Sequence, residues 1–273
     1  MSDVVTSINV AVLGSIVFDI AVEIDRLPDT HETILASSAH LSAGGKGLCQ
    51  AVAARRLGPK VDLIGLVGDD LFGEYLLGVL DDEDIGREHV HSHSAGTHLG
   101  IPMITPDGNN RIIGVPQASF AVGPTDLVGT ETTLKSAEVL LIQNETPLEA
   151  IMATVERVHD QTLVVWNPAP ARFSLEEMMS PVFRGRVSWL TPNETEAGAL
   201  AGIDVVDVES GFAAAQIIRT NWPVVGVVVT LGDQGAVAIE PSGEQHVARP
   251  HAVNAIDPTG AGDTFTAAFA VGL

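Results

Sequence analysis

The segment Asp257-Pro258-Thr259-Gly260-Ala261-Gly262-Asp263-Thr264-Phe265 carries the densest chemistry in the chain. Its two glycines let the backbone turn and present bare N–H groups, and an apolar helical pattern over residues 265–273 comes directly after. The start of a helix has unpaired N–H groups and a partial positive charge, so this turn is a natural anion site. Asp263 reads in two ways there. Aspartate is a favoured N-cap; it is also an acid that can take a proton from a hydroxyl. The second carboxylate, Asp257, next to a proline-stiffened turn, weighs towards the second reading. A proton acceptor opposed by N–H groups that stabilise charge on a moving phosphoryl suits phosphoryl transfer. An ordinary aspartate, with a pKa of about 4, is ionised at neutral pH, as an acceptor must be. A second glycine-rich turn, Gly44-Gly45-Lys46-Gly47, carries a lysine but is no Walker A loop, lacking both the spacing and the Ser/Thr after lysine.

These turns need elements to hold them. Short β-branched runs over residues 8–13, 61–66, 139–143, 162–166, 187–190 and 224–230 are mostly apolar on both faces. Strands of a parallel sheet covered by helices read that way. Helical patterns over 47–57, 71–80, 147–159, 194–201 and 211–220 lie between them, and the alternation predicts a layered α/β fold. Two stretches, 21–42 and 97–115, break the rhythm with short alternating strands and turn signals, Pro106-Asp107-Gly108-Asn109 being the clearest. They predict a small antiparallel sheet set apart from the main layers as a lid, over segments 17–43 and 97–116. The expectation is one domain, 1–273, with that lid.

Composition narrows the function classes. The chain has 273 residues, of which 45% are hydrophobic and 18% charged, enough for a large core and against disorder. Its formal net charge of −21 repels phosphate backbones and anionic lipid, which argues against nucleic-acid or membrane-surface partners. An anion site must then be built locally. The single cysteine allows no intrachain disulfide and no cysteine-based zinc knuckle. No signal peptide or membrane span is read, so a cytoplasmic location is expected. No G-x-G-x-x-G comes after the first strand, which counts against a dinucleotide enzyme. His89, His91 and His93 alternate, with His98 close behind; this is read as a solvated strand face, with a metal site as the rival. The run 81–84 reads as a solvated helix end.

With both turns in view, the chain resembles the ribokinase-like (PfkB) carbohydrate kinases. The resemblance extends through Gly14-Ser15-Ile16 with Asp19, Gly65-Leu66-Val67-Gly68-Asp69-Asp70, Asn167-Pro168-Ala169-Pro170, Thr191-Pro192-Asn193-Glu194-Thr195-Glu196 and Thr230-Leu231-Gly232, in order along nearly the whole chain. It implies a three-layer α/β/α fold with a mainly parallel central sheet and a β-sheet lid. It also implies an ATP-dependent sugar kinase with ribose as the leading acceptor. Asp263 would then be the base, with the N–H groups of Gly260, Ala261 and Gly262 as the anion hole. Asp19, Gly45, Lys46, Cys49, Glu145 and Asp263 match sugar contacts; Asn193, Thr230, Gly232 and Gly262 match nucleotide contacts. Asp257 and Thr259 match positions binding an activating monovalent cation, usually potassium. Asn193 and Glu196 match a motif that positions Mg²⁺ through water, which suits a metal that keeps its waters. Dimerisation through the lid is implied as well. Each assignment has a plainer rival: Asn193–Glu196 as helix capping, Gly45–Gly47 as a tight turn. Glu145 comes just after a buried strand, where a carboxylate without a partner is costly, and so reads as functional.

Three departures from the family pattern bear on function. Val17 and Cys49 occupy positions where ribokinases usually have asparagine; valine cannot hydrogen-bond a hydroxyl and a thiol does so weakly. Selectivity for one sugar depends on such partners, so another pentose, a nucleoside or a ketose remains open. The third is that the apolar helix stops at Leu273, where relatives continue with further helices and a strand. Either the sequence is a fragment or the protein is naturally short; if short, it is expected to be poorly stable or weakly active, with a non-catalytic sugar-binding homologue as the rival reading.

Overall fold

Alternation along the central strands decides the architecture. In β1 (Asn9–Leu13), Val10 and Val12 belong to one buried cluster and Ala11 and Leu13 to another. Both faces of this strand are therefore in a core, and both faces of its sheet need a helical layer. The computed structural model describes residues 8–106, 110–222, 225–251, 253 and 259–273. After β1 the strands are β2 (Val17–Glu23), β3 (Ser38–Gly44), β4 (Lys60–Gly68), β5 (Gly86–His93), β6 (His98–Ile104) and β7 (Asn110–Val115). They continue with β8 (Val139–Gln143), β9 (Leu163–Asn167), β10 (Val187–Leu190), β11 (Gly226–Thr230), β12 (Ala236–Ile239) and β13 (Gln245–Ala248). The helices are α1 (Lys46–Arg56), α2 (Leu71–Asp82), α3 (Glu131–Ser136), α4 (Leu148–Val155), α5 (Leu175–Met178), α6 (Glu194–Ala201), α7 (Val208–Asn221) and α8 (Ala261–Gly272).

The main sheet runs β13-β12-β11-β10-β9-β8-β1-β4-β5, parallel from β11 to β5 and antiparallel only at its β11-β12-β13 end. One face is covered by α1, α2 and α8 through Leu48, Ala51, Leu76, Leu80, Ala267 and Ala270. Ala150 and Ile151 of α4, Ala197 of α6 and Ala214, Ala215 and Ile218 of α7 cover the other. This is the expected three-layer fold with a mainly parallel sheet.

The lid is a separate four-stranded sheet, β3-β2-β6-β7. Its two antiparallel pairs, β2 with β3 and β6 with β7, are joined by a parallel pairing of β2 with β6. The turn signal at 107–109 lies outside the described residues. Side chains alternate across the lid: Phe18 packs on Phe72 and Tyr75 of α2, while its neighbours Val17 and Asp19 point the other way, as the pleat requires.

Most predicted elements agree within a residue or two. The helix predicted over 147–159 ends at Val155, where Arg157 N–H turns back to Thr154 O at 3.0 Å and closes a tighter turn. The acidic run 81–84 spans the end of α2 and the turn after it, with Asp81 paired to Arg87, Glu83 to Arg56 and Asp84 to Arg55. It is solvated and also ion-paired. No described helix is long and apolar enough to cross a membrane.

Candidate active site

Asp19 sits on β2 opposite Ser42 of β3 and Gly100 of β6. A Cβ on Gly100 would stand 1.9 Å from Asp19 Oδ1, and one on Gly44 would stand 2.0 Å from Oδ2. Two glycines on the flanking strands thus open the slot in which this carboxylate lies. Burial, with the neighbouring Glu145 charge adding to it, pushes the Asp19 carboxyl above its usual pKa. Gly45, with φ 91°, turns the chain from β3 into α1, a conformation side chains resist, and so puts Lys46 first on the helix.

Glu145, half-buried just past β8, is not unpartnered. Its Oε2 accepts the Lys46 backbone N–H at 3.0 Å and the Ser15 hydroxyl. Lack of a partner therefore gives no reason to call this carboxylate functional. Its position does: Glu145 stands at the N-terminus of α1, where a negative charge is favoured. Burial works against the Lys46 ammonium, but Asp263, Glu145 and Glu196 around it more than offset this and hold its pKa above the usual value.

Gly260, left-handed at φ 74°, is the N-cap of α8, and the helix begins at Ala261. Thr264 donates the first intrahelical bond, to Gly260 O at 2.9 Å, so the N–H groups ahead of it face outwards from the helix end. Asp263 is the third residue of the helix, and Gly260, not Asp263, is its N-cap. The capping alternative fails. Instead its carboxylate, 8% exposed, accepts from Gln50 Nε2 at 3.0 Å. Burial raises the Asp263 pKa, and Lys46 and the Gln50 bond only partly offset it. Lys46, Asn193, Glu196, Thr230, residues 260–262 and Asp263 border one cavity of about 160 Å³. Two turns far apart in sequence thus meet at one small space.

On the far side of this cavity Asn193 and Glu196 form a reciprocal capping box at the start of α6. Asn193 Oδ1 accepts Glu196 N–H at 2.9 Å and Glu196 Oε2 accepts Asn193 N–H at 2.9 Å. The capping rival is thus realised, and the pair still faces the cavity. Thr230, at the end of β11, donates its N–H to Pro192 O at 3.0 Å and holds this corner against the sheet. Gly232, two residues on, lies near Glu194 rather than on the cavity wall. Thr259 is exposed before Gly260; Asp257, its expected partner in cation binding, lies outside the described residues.

Glu196, with Asn193 beside it, offers a carboxylate that fits a hard cation. Glu196 and Asp263 are buried carboxylates with raised pKa values, and Lys46 is the cation acting on both. Two anions against one cation leave the pocket short of positive charge, which a magnesium ion brought with nucleotide phosphates would supply.

Cys49 lies one turn along α1 from Lys46 and lines a groove of about 490 Å³ along that helix, which shares Gly260 with the smaller cavity. Burial, with Asp263 and Asp19 nearby, pushes its thiol up to about 12, so it is no nucleophile at neutral pH. His89 and His93 are tied to Thr133 and to the Ala95 N–H. The metal-type cluster among the described residues is elsewhere, at Glu240, Glu244 and His246. The expected solvated strand face holds for His91, whereas His89 on β5 and His98 on β6 are buried, because Thr133 of α3 and the lid elements pack against them.

Two residues that sequence reasoning missed are Ser15 and Gln50, both fully buried and both bonded to site carboxylates. Ser15 stands inside the Gly14-Ser15-Ile16 motif. Gln50 was detectable as the residue four after Lys46, hence on the same helix face.

A model of the pfkB family carbohydrate kinases matches residues 7–273. The chain belongs to that family. A Haemophilus influenzae ribokinase is 32% identical over 267 residues, covering 97% of this chain and 85% of the relative. A Salmonella typhi deoxyribokinase is also 32% identical, over 96% of this chain and 84% of its own. Among solved structures, an Arabidopsis thaliana ribokinase complexed with ribose and ATP superposes with a TM-score of 0.87 at 29% identity, over 97% of this chain and 86% of that one. The α/β/α layers and the lid are therefore those of a PfkB carbohydrate kinase, and the carboxylate-lined cavity lies between the elements that the family motifs mark.

Proposed function

We propose that this PfkB kinase transfers the γ-phosphoryl group of ATP to a sugar hydroxyl, with ribose as acceptor and ribose 5-phosphate as product. One observation carries the reading: the buried Asp263 carboxylate, the open N-terminus of α8 and Lys46 border a single small cavity. A hydroxyl there loses its proton to Asp263 as its oxygen attacks phosphorus in line. The N–H groups of Gly260, Ala261 and Gly262 take up charge on the moving phosphoryl. A carboxyl raised above its usual pKa by burial is a stronger base than an ordinary aspartate. Asp19 and the remaining oxygen of Glu145 accept from sugar hydroxyls, Lys46 and Gly45 donate, and Cys49 packs alongside. Asn193, Thr230 and Gly262 line the nucleotide side, and Gly232, off the cavity wall, would meet the nucleotide beyond it. Glu196 with Asn193 would hold Mg²⁺ through water, and the ion would neutralise phosphate oxygens. The lid covers the sugar and keeps out water that would otherwise accept the phosphoryl. Exposed Leu41, Ile112 and Ile113 on the lid support pairing with a second copy, which sedimentation would reveal.

Support for ribose comes from the ribokinase relatives and from the plant ribokinase complexed with ribose and ATP. A second acceptor, 2-deoxyribose, is favoured by a specific feature. Val17, 6% exposed and two residues before Asp19 on the same lid face, offers a sugar nothing to bond. The Salmonella deoxyribokinase is as similar in sequence as the H. influenzae ribokinase.

An ADP-release screen over pentoses, hexoses and nucleosides tests both. The highest kcat/KM for ribose supports the first reading, and a preference for 2-deoxyribose the second. Sugar binding in a calorimeter with neither ATP·Mg²⁺ binding nor ADP release would overturn both in favour of a binding protein.

A further inference from the structure

Gln50 lies behind Asp263 and off the cavity wall, in a chain of buried polar side chains of which Asn167 and Thr191 also border the cavity. Its Nε2 donates to Asp263 Oδ1 at 3.0 Å and to Asn167 Oδ1 at 3.3 Å. Its Oε1 accepts from Gln143 Nε2 at 2.7 Å. Asn167 passes the chain on, donating from Nδ2 to Thr191 O at 2.7 Å, and the Thr191 hydroxyl meets that of Thr266 at 3.0 Å. The ring closes on α8 at two points, Asp263 and Thr266, three residues apart and so on one helix face. Gln50 and Gln143 are fully buried, and Asn167, Thr191 and Thr266 nearly so.

We propose that Gln50 is the positioning residue for the catalytic base: it fixes Asp263 Oδ1 and leaves Oδ2 for the sugar hydroxyl, and Gln143 sets which way the Gln50 amide faces. The chemistry of an amide explains the choice. Both its hydrogens are used, one on each acceptor, so the carboxylate is held without a compensating charge that would weaken it as a base. An amide can also turn over and present its oxygen, which would repel the carboxylate. Gln143 prevents this by donating to Gln50 Oε1. Gln143 gives up a bond to do so: its own Oε1 is buried and has no partner among the described residues. A buried orphan acceptor is tolerated where its other end is committed.

This inference rests on Asp263 being the base, and the experiment separates the two. Steady-state kinetics from pH 5 to 9 would be run on the wild type, Gln50→Leu, Gln143→Met and Asp263→Asn, with the fold checked by thermal melting. Gln50→Leu should lower kcat about 10- to 100-fold, the usual loss for a partner behind a reacting group. The KM values for sugar and ATP should stay within about twofold, because Gln50 is fully buried and borders neither cavity. The acidic limb of the kcat profile should move to higher pH, because the lost bond favoured the ionised carboxylate. Gln143→Met should shift the same limb in the same direction with a smaller loss of kcat. A merely structural role would lower the melting temperature and leave the acidic limb in place. That result, or a folded Gln50→Leu with wild-type kcat, overturns the proposal while Asp263→Asn stays inactive. Should Gln50→Leu not fold, an unmoved limb in Gln143→Met overturns it equally. Full activity in Asp263→Asn would instead remove the reading on which it rests.

Discussion

Replacing Asp263 with asparagine separates what the site needs for chemistry from what the fold needs for stability. Asparagine is nearly isosteric, and its oxygen can still accept from Gln50 Nε2, so the network behind the base is kept. A general base contributes about 10²- to 10⁴-fold. At about 1.4 kcal/mol per decade, Asp263→Asn should raise the barrier by about 3–5 kcal/mol. Stability should move the other way. Burial raises the Asp263 pKa despite attraction from Lys46 and the Gln50 bond, so desolvation of the charge wins. A carboxyl whose folded pKa exceeds its unfolded value binds its proton more tightly in the folded state. Its contribution to stability therefore falls as pH rises from the unfolded value, near 4, through the folded one. At pH 7 the charged form is a cost that asparagine removes, and each kcal/mol relieved raises Tm by about 2–3 °C. The assay pairs ADP release with thermal melting at pH 7 and again at pH 4. A higher Tm at pH 7 with a smaller difference at pH 4, together with at least a 100-fold loss of kcat, is expected. Activity within tenfold of wild type would refute the base, and a lower Tm at pH 7 would refute the argument that burial of the charge is costly.

Gly100→Ala puts a methyl group where Asp19 Oδ1 now lies, 1.9 Å from the new carbon; sugar KM should rise about tenfold or more, with ATP KM little changed, in initial-rate kinetics. Glu196→Gln keeps the capping geometry but removes a carboxylate from the cavity, so the Mg²⁺ concentration for half-maximal rate should increase several-fold in a magnesium titration. The Cys49 thiol, pushed up to about 12, should resist iodoacetamide at pH 8 in the folded protein and react readily in urea. Replacing potassium by tetramethylammonium should lower turnover if Asp257 and Thr259 bind a monovalent cation; unchanged turnover removes that role.

Much of the fold could be read directly because its main sheet is buried on both faces. Runs such as 139–143 and 187–190 have no polar face, and they coincide with β8 and β10 as observed. Strands at the sheet ends were harder to see. β13 is exposed at every position, and β5 pairs on one side only and carries Arg87, Glu88 and His91. Neither has the continuous apolar run that marks a buried strand. In the site, the two glycine turns stood out because glycine spacing and a lysine or aspartate are local signals. Whether Asp263 capped its helix or turned inward was not local. It depended on Gln50, which is 213 residues away in sequence and becomes a neighbour only when α1 packs on α8. Glu145 had the same difficulty: its partners Ser15 and Lys46 are 130 and 99 residues away in sequence and become neighbours only when β1 pairs with β8 and α1 packs beside them.

The most direct test is a crystal structure of the protein with ribose and a non-hydrolysable ATP analogue. A sugar hydroxyl oxygen is expected within about 3.2 Å of Asp263 Oδ2, with the terminal phosphoryl against the N-terminus of α8 and Gln50 still on Oδ1. A sugar bound away from Asp263, or a terminal phosphoryl remote from residues 260–262, would contradict the role given to this carboxylate and its helix.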